Sequence, residues 1–116
     1  MDKEYVLACL QDVLSAIEDV EKVFADFPKR YDAFADSILH ISLVERKTEI
    51  MGEALSRIRR IAPEFSVPKG REIIATRNRI VHSYDNVRPE FLWGLVLKHI
   101  PELKTDIERL INELDN

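Results

Sequence analysis

A single cysteine, Cys9, occurs in the chain, so no disulfide can close within it and a zinc site built on several thiolates is excluded. That scarcity fits a reducing cytosol. Three glycines and five prolines in 116 residues are too few for the frequent turns of an all-β domain, while leucine, isoleucine, alanine, glutamate and arginine are plentiful. No run of about 18 apolar residues offers a membrane span. The start MDKEYVLACLQDV lacks the basic opening and apolar stretch of a signal peptide. The expectation is a soluble, cytoplasmic protein, one all-α domain over residues 1–116, arranged as an antiparallel bundle of four to five helices.

The chain also lacks an excess of positive charge, its net being −4, which at first argues against a nucleic-acid partner. The average hides an asymmetry. From Arg57 to Arg88 there are eight Lys or Arg against three acidic residues, a local +5 that leaves −9 for the rest. A basic stretch in an acidic chain is a footprint for phosphates; solvated helix faces are the alternative.

Apolar spacings of three and four place a helix over 3–27, through Val6, Leu10, Val13, Leu14, Ile17, Val20 and Phe24, ended by Pro28. A long helical pattern follows from Tyr31 to Ala62, carried by Phe34, Ile38, Ile41, Val44, Met51, Leu55 and Ile58, with a break near Asp36 as N-cap. Gly52 inside it costs about 1 kcal/mol relative to alanine and is expected to let another helix come close. APEFSVPKG, residues 62–70, is the main connection. A third helix covers about 69–84, DNVRP at 85–89 is a turn, and the last helix runs 90–114 with Pro101 as a kink or break.

The third helix contains TRNRIVHSYDN, residues 76–86. On an ideal helix Ile73, Ile74, Ile80 and Val81 share a core arc; Arg77 and Tyr84 fall inside it, and Asn78 and His82 lie along its edge. A guanidinium keeps its charge, so Arg77 must meet a carboxylate, a polar cleft or another subunit. The bland alternatives are a salt bridge from Arg77 to Glu49 or Glu53, a helix-to-helix hydrogen bond for Asn78, a satisfied helix-end histidine for His82 and a packed ring for Tyr84. Against them, arginine holds phosphate oxygens, histidine moves protons near neutral pH, and tyrosine orients a base or ribose.

R-N-x-x-x-H-x-Y, written here by Arg77, Asn78, His82 and Tyr84, resembles the signature of the HepT-like branch of the HEPN superfamily. EIMGEA at 49–54 is similar to that family's I-G-E-A helix, PEFSVP at 63–68 to its proline-containing loop, and LVLKHIPELKTDI at 95–107 to its last helix. Two departures are present: Lys69 stands where the family commonly has tryptophan, and Glu45 and Thr48 replace apolar residues. The resemblance implies a homodimeric ribonuclease toxin that cleaves RNA without metal or cofactor. It also implies a minimal nucleotidyltransferase antitoxin as partner, which in some systems transfers AMP onto the motif tyrosine. By carry-over Arg77 and His82 are catalytic, Asn78 supports them, and Tyr84 is both a site residue and the modification target. Arg71, Arg79 and Arg88 of the basic stretch are candidates for RNA binding.

The chemistry stands on its own. Metal-free RNA cleavage requires a deprotonated 2′-hydroxyl, stabilised charge on the phosphorane and a protonated 5′-oxygen. His82 serves as base or acid, and Arg77 as a bidentate phosphate clamp. No H-x-x-x-H or D-x-D spacing points to a metal. Arg77 and His82, five residues apart, diverge by about 140° on a straight helix. Either the helix ends near His82, or two copies share a cleft across a twofold axis; the second is favoured. A non-catalytic HEPN-like adaptor or substrate-binding subunit of a nucleotidyltransferase is the competing reading, to which the acidic total charge lends weight.

Overall fold

The computed structural model describes residues 1–82 and 88–115. Among these there are six α-helices and no strand: α1, Lys3–Phe24; α2, Tyr31–Ala35; α3, Ile38–Ile61; α4, Arg71–His82; α5, Pro89–Gly94; and α6, Ile100–Asp115. α1 lies against both α3 and α6, and α3 carries α4 on its other side. The core between them is built from the expected stripe, Val6, Leu10, Val13, Ile17 and Val20 of α1 meeting Val44, Met51, Leu55 and Ile58 of α3 and Leu103 and Ile107 of α6.

The ends of the elements differ from expectation for local reasons. α1 starts where the Asp2 carboxylate accepts the Tyr5 N–H at 3.1 Å. It ends three residues short of Phe27, where tighter bonds, Ala25 N–H to Lys22 O and Phe27 N–H to Phe24 O, close the last turn ahead of Pro28. The break in the long pattern falls where it was sought, but Asp36 is the C-cap of α2, and Ser37 caps α3. Ser37 is extended, and its hydroxyl accepts the His40 N–H at 3.3 Å. Ile38, in the first turn of α3, is solvent-exposed rather than core.

The last helix is divided in two. Between α5 and α6, Leu95–His99 form a π-helical turn, in which the Ile100 N–H reaches back five residues to Leu95 O. Pro101 follows in the first turn of α6, where its missing N–H is tolerated. The extra residue of the π-turn is the form the expected kink takes. Lys98 of the turn is exposed and His99 half-buried, while Leu95 and Ile100 stay buried.

The two positions on α3 that depart from the family pattern sit within the packing. Thr48 is fully buried, and its hydroxyl has no hydrogen-bond partner among the described residues. Glu45 is half-buried, and desolvation, reinforced by neighbouring Glu49, pushes its carboxyl above the ordinary glutamate value. Protonated Glu45 therefore suits the folded state. Its favourable contribution is complete below pH 4.5 and is lost as pH rises through the raised folded value. Glu45→Gln is expected to be more stable than wild type to urea at pH 7, with the gap closing as the buffer is acidified below that range. An equal or lower midpoint at pH 7 would show that the charge is tolerated without cost.

Candidate functional site

α4 is placed by the connection before it. Pro68–Gly70 form a 3-10 turn whose Lys69 N–H donates to Asp106 Oδ2 at 3.1 Å, while Lys69 Nζ pairs with Glu102 at 3.2 Å. Both bonds tie the start of α4 to α6. Ile73 and Ile74 are buried, Ile80 is half-buried, and Val81, expected in the core, is 45% exposed. The inward face of α4 instead follows Ile73, Thr76, Arg77 and Ile80, the i, i+3, i+4, i+7 rows of a helix, which turns Val81 to solvent. Thr76 is satisfied there by donating to Glu72 O at 2.8 Å.

This rotation sets Arg77 over Gly52. An ideal Cβ built on Gly52 would collide with Arg77 Cβ and come within 2.7 Å of its Cγ. Gly52 is thus a point of close approach between α4 and α3, as its position inside the helix led us to expect. The stem of Arg77 is pressed against α3 and its Nε is buried without a partner among the described residues, while Nη1 donates to Asn78 Oδ1 at 3.2 Å. The salt bridge to Glu49 or Glu53 is not formed. Glu53 holds Arg57 at 2.7 Å, and Glu49 pairs with Arg46 at 3.5 Å. Asn78 bonds its neighbour rather than another helix.

Arg77 and Asn78 open onto a cavity of about 430 Å³ lined also by Glu53, Ser56, Arg59 and Arg60 of α3. Arg59 and Arg60 were not singled out by sequence reasoning. Their signal was present as a basic pair in the last turn of a helix, but its ordinary reading is dipole complementation, and only the α3–α4 crossing brings it beside Arg77. His82 is the last residue of α4 and is exposed. Tyr84, the supporting and modification candidate, and most of the 85–89 turn lie outside the described residues.

The remaining candidates separate. Arg71 is exposed at the opposite end of α4. The Arg79 guanidinium lies 4.3 Å from the centre of the Phe91 ring, a cation–π contact to a half-exposed aromatic of α5. Arg88 pairs with Glu90 at 3.3 Å. Of the other histidines, His40 has a structural post, its ring centre 3.8 Å from that of Phe27 and its Nδ1 2.6 Å from Ser37 Oγ. His99 belongs to the π-turn.

Among the described residues no three His, Cys, Asp or Glu are gathered to hold a metal ion, and no helix is long and apolar enough to cross a membrane. A separate cavity of about 360 Å³, at the end of α1, is lined by Phe24, Phe27 and Trp93. Its carboxylate, Glu21, is held by Lys104 at 3.0 Å. An arginine without a carboxylate partner, beside two further arginines and five residues from an exposed histidine, is the arrangement suited to a phosphodiester.

Comparison with known proteins gives the family. Residues 13–110 match the family described as Ribonuclease HepT-like, and the chain belongs to that family. A Methanocaldococcus jannaschii protein bearing the provisional name of an RNase is 28% identical over 116 residues, 99% of this chain and 98% of its own length. A similarly named protein of Caldanaerobacter subterraneus subsp. tengcongensis is 29% identical over 113 residues, 96% of this chain and 95% of its own. A Thermococcus cleftensis protein, provisionally named ribonuclease HepT, is 32% identical over 105 residues, 87% of this chain and 91% of that one. No solved structure matches the chain at comparable significance. The architecture is accordingly an all-α, HEPN-like bundle within a family of ribonucleases.

Proposed function

We propose that the chain is a metal-independent endoribonuclease toxin that cuts RNA with Arg77 and His82 and is neutralised by a cognate minimal nucleotidyltransferase. The observation that carries the reading is Arg77 itself: its stem is fixed against Gly52, Asn78 holds its head, and no carboxylate among the described residues occupies it. An unoccupied, pre-positioned guanidinium is available to a phosphate at little entropic cost. Membership of the ribonuclease family supports reading that phosphate as one of RNA.

In the step this implies, His82 takes the proton of the 2′-hydroxyl and the 2′-oxygen bonds to phosphorus, with the equatorial charge held by Arg77. The P–O5′ bond then breaks, and the 5′-oxygen leaves with a proton from an imidazolium. The products are a 2′,3′-cyclic phosphate and a free 5′-hydroxyl. Because His82 diverges from Arg77 on the helix, the site is completed by a homodimer, in which α4 of each copy faces the other and the second His82 supplies the acid. Exposed Val81, next to His82, is an apolar residue such a pairing would cover.

Control is proposed at Tyr84. AMP attached there adds a phosphodiester charge and an adenosine beside the residues that receive RNA, competing with substrate for Arg77 by charge and by volume.

The test uses purified protein and a labelled RNA. Cleavage that survives EDTA and yields cyclic phosphate ends is expected, from a species that light scattering at micromolar concentration finds dimeric. Abolition by chelator, or a monomer that cleaves at full rate, overturns the corresponding part. With the neighbouring nucleotidyltransferase and ATP, wild type gains the mass of AMP and loses activity while Tyr84→Phe does neither. A phenylalanine variant that gains the same mass removes Tyr84 from the scheme.

A further inference from the structure

The cavity at Arg77 is the first of three in a row. Arg59 and Ile74 line it and also a second cavity, of about 220 Å³, between the end of α3, the 62–70 connection and α4. Pro68 and Arg71 line that second cavity and also a third, of about 310 Å³, whose far wall is Lys98 and His99 of the π-turn. The row therefore runs along α4 from Asn78 and Arg77 of the proposed site, past Ile74, to Arg71 at the start of the helix and the π-turn beside it.

Charge picks out the same path. Most cations elsewhere are tied to carboxylates: Arg30, Arg46, Lys47, Arg57, Lys104 and Arg109 all have partners within 4 Å. Arg59, Arg60, Arg71, Arg77 and Lys98 have none among the described residues, and all five line the three cavities. Of the three acids there, Glu53 is held by Arg57 and Glu102 by Lys69, while Glu72 has no cation partner among the described residues, so cations outnumber free carboxylates along the row. Apart from Arg77, the five cations are solvent-exposed. Arg59, Arg60, Arg71 and Lys98 come from three different elements, so their convergence is a property of the fold and not of one charged helix face.

We infer that the three joined cavities form a track for one strand of RNA, running from Arg77 along α4 to Lys98 and His99 and gripping the backbone phosphates of nucleotides remote from the cleaved bond. The RNA identity rests on the ribonuclease reading; the track itself rests on geometry and charge. Successive small concavities beside a single row of cations suit one backbone, where a duplex would present two. The π-turn has a part in this, because its Lys98 and His99 share a cavity with Arg71.

Binding is tested with a labelled, fully 2′-O-methylated single-stranded oligonucleotide, which carries the phosphates but has no 2′-hydroxyl to react. For a single strand, affinity falls with salt at a slope of about 0.7 per neutralised phosphate. Five contacts give a slope of about −3.5, and Arg71→Ala/Lys98→Ala brings it to about −2 with a roughly tenfold loss of affinity at 0.1 M salt. Lys3→Ala/Lys22→Ala, removing unpaired cations away from the track, leaves both unchanged. In the Arg71/Lys98 variant kcat/KM on a long RNA falls about tenfold, while the Lys3/Lys22 control cleaves it at the wild-type value.

The track is overturned if the Arg71/Lys98 variant binds with the wild-type slope, if the control pair lowers the slope equally, or if a duplex of the same length binds more tightly than the single strand. A wild type that binds through Arg71 and Lys98 but cuts no RNA leaves the track standing and removes the nuclease reading instead.

Discussion

Alanine at His82 is expected to lower RNA cleavage by about 10²- to 10⁴-fold, the range for loss of a general acid or base. Alanine at Arg77 is expected to lower it by about 10²- to 10³-fold, as when a group stabilising transition-state charge is removed. The two variants differ in what else they disturb. His82 is exposed at the end of α4, so its truncation leaves no hole and the urea midpoint stays at the wild-type value. Arg77 has its stem packed on Gly52 and its Nε buried, so its truncation also opens a gap between α3 and α4. Arg77→Lys separates the effects. It keeps the stem and the charge and loses the planar fork, so stability returns while cleavage stays depressed, because an ammonium holds the phosphate as a point charge. The measurement is single-turnover cleavage of a labelled RNA, with helical circular dichroism taken on each protein. Full activity in His82→Ala sinks the assignment. Restoration of activity by Arg77→Lys would make Arg77 a charge at the rim rather than a clamp.

What could be seen in the chain beforehand divides along a physical line. Features that are local and periodic were visible: the α1 and α3 stripes, the interruption before α3, and the glycine whose missing side chain admits a second helix. Cap chemistry was visible only in outline, because Asp36 and Ser37 are adjacent and both are good caps, and the choice depends on which one is extended at the start of α3. The π-turn was not legible. Its sequence, LVLKH, has ordinary helix formers, and the only sign is Pro101 just beyond it.

The inward face of α4 was misjudged at Val81 for a related reason. The ideal arc was fitted to the aliphatic residues, whereas Gly52 fixes the rotation by giving a close approach to Arg77, and threonine fills a core position where a methyl and a self-satisfied hydroxyl suffice. The motif residues stood out singly, but their neighbourhood did not. Arg59, Arg60 and Lys98 are separated from Arg77 by 17 to 21 positions along the chain and read alone as solvated charges. Nothing in local spacing brings them together; the α3–α4 crossing and the turn at Leu95–His99 do.

That crossing makes glycine at position 52 a determinant of activity, and a pair of glycine replacements isolates the effect. Both Gly52 and Gly94 are helical, and in an unobstructed helix Gly→Ala is worth about 0.5–1 kcal/mol. At Gly94 an added Cβ meets nothing within 4 Å, so Gly94→Ala is expected to gain stability by about that amount and to cleave RNA at the wild-type rate. At Gly52 the same methyl runs into Cγ of Arg77 and into its Cβ, which is fixed to the α4 backbone and which no rotamer change can withdraw. Overpacking of this kind costs about 1–3 kcal/mol and outweighs the propensity gain, so Gly52→Ala is expected to lose up to about 2 kcal/mol in urea unfolding. Relief comes from sliding α4 away from α3, which carries the Arg77 guanidinium with it. A displacement near 1 Å is enough to cost about 10²-fold in rate. Activity should therefore fall much further than stability, measured on protein that remains folded at the assay temperature. A Gly52→Ala protein that is more stable than wild type and fully active would mean that α3 and α4 part without cost, and that Arg77 is not held in place by their contact.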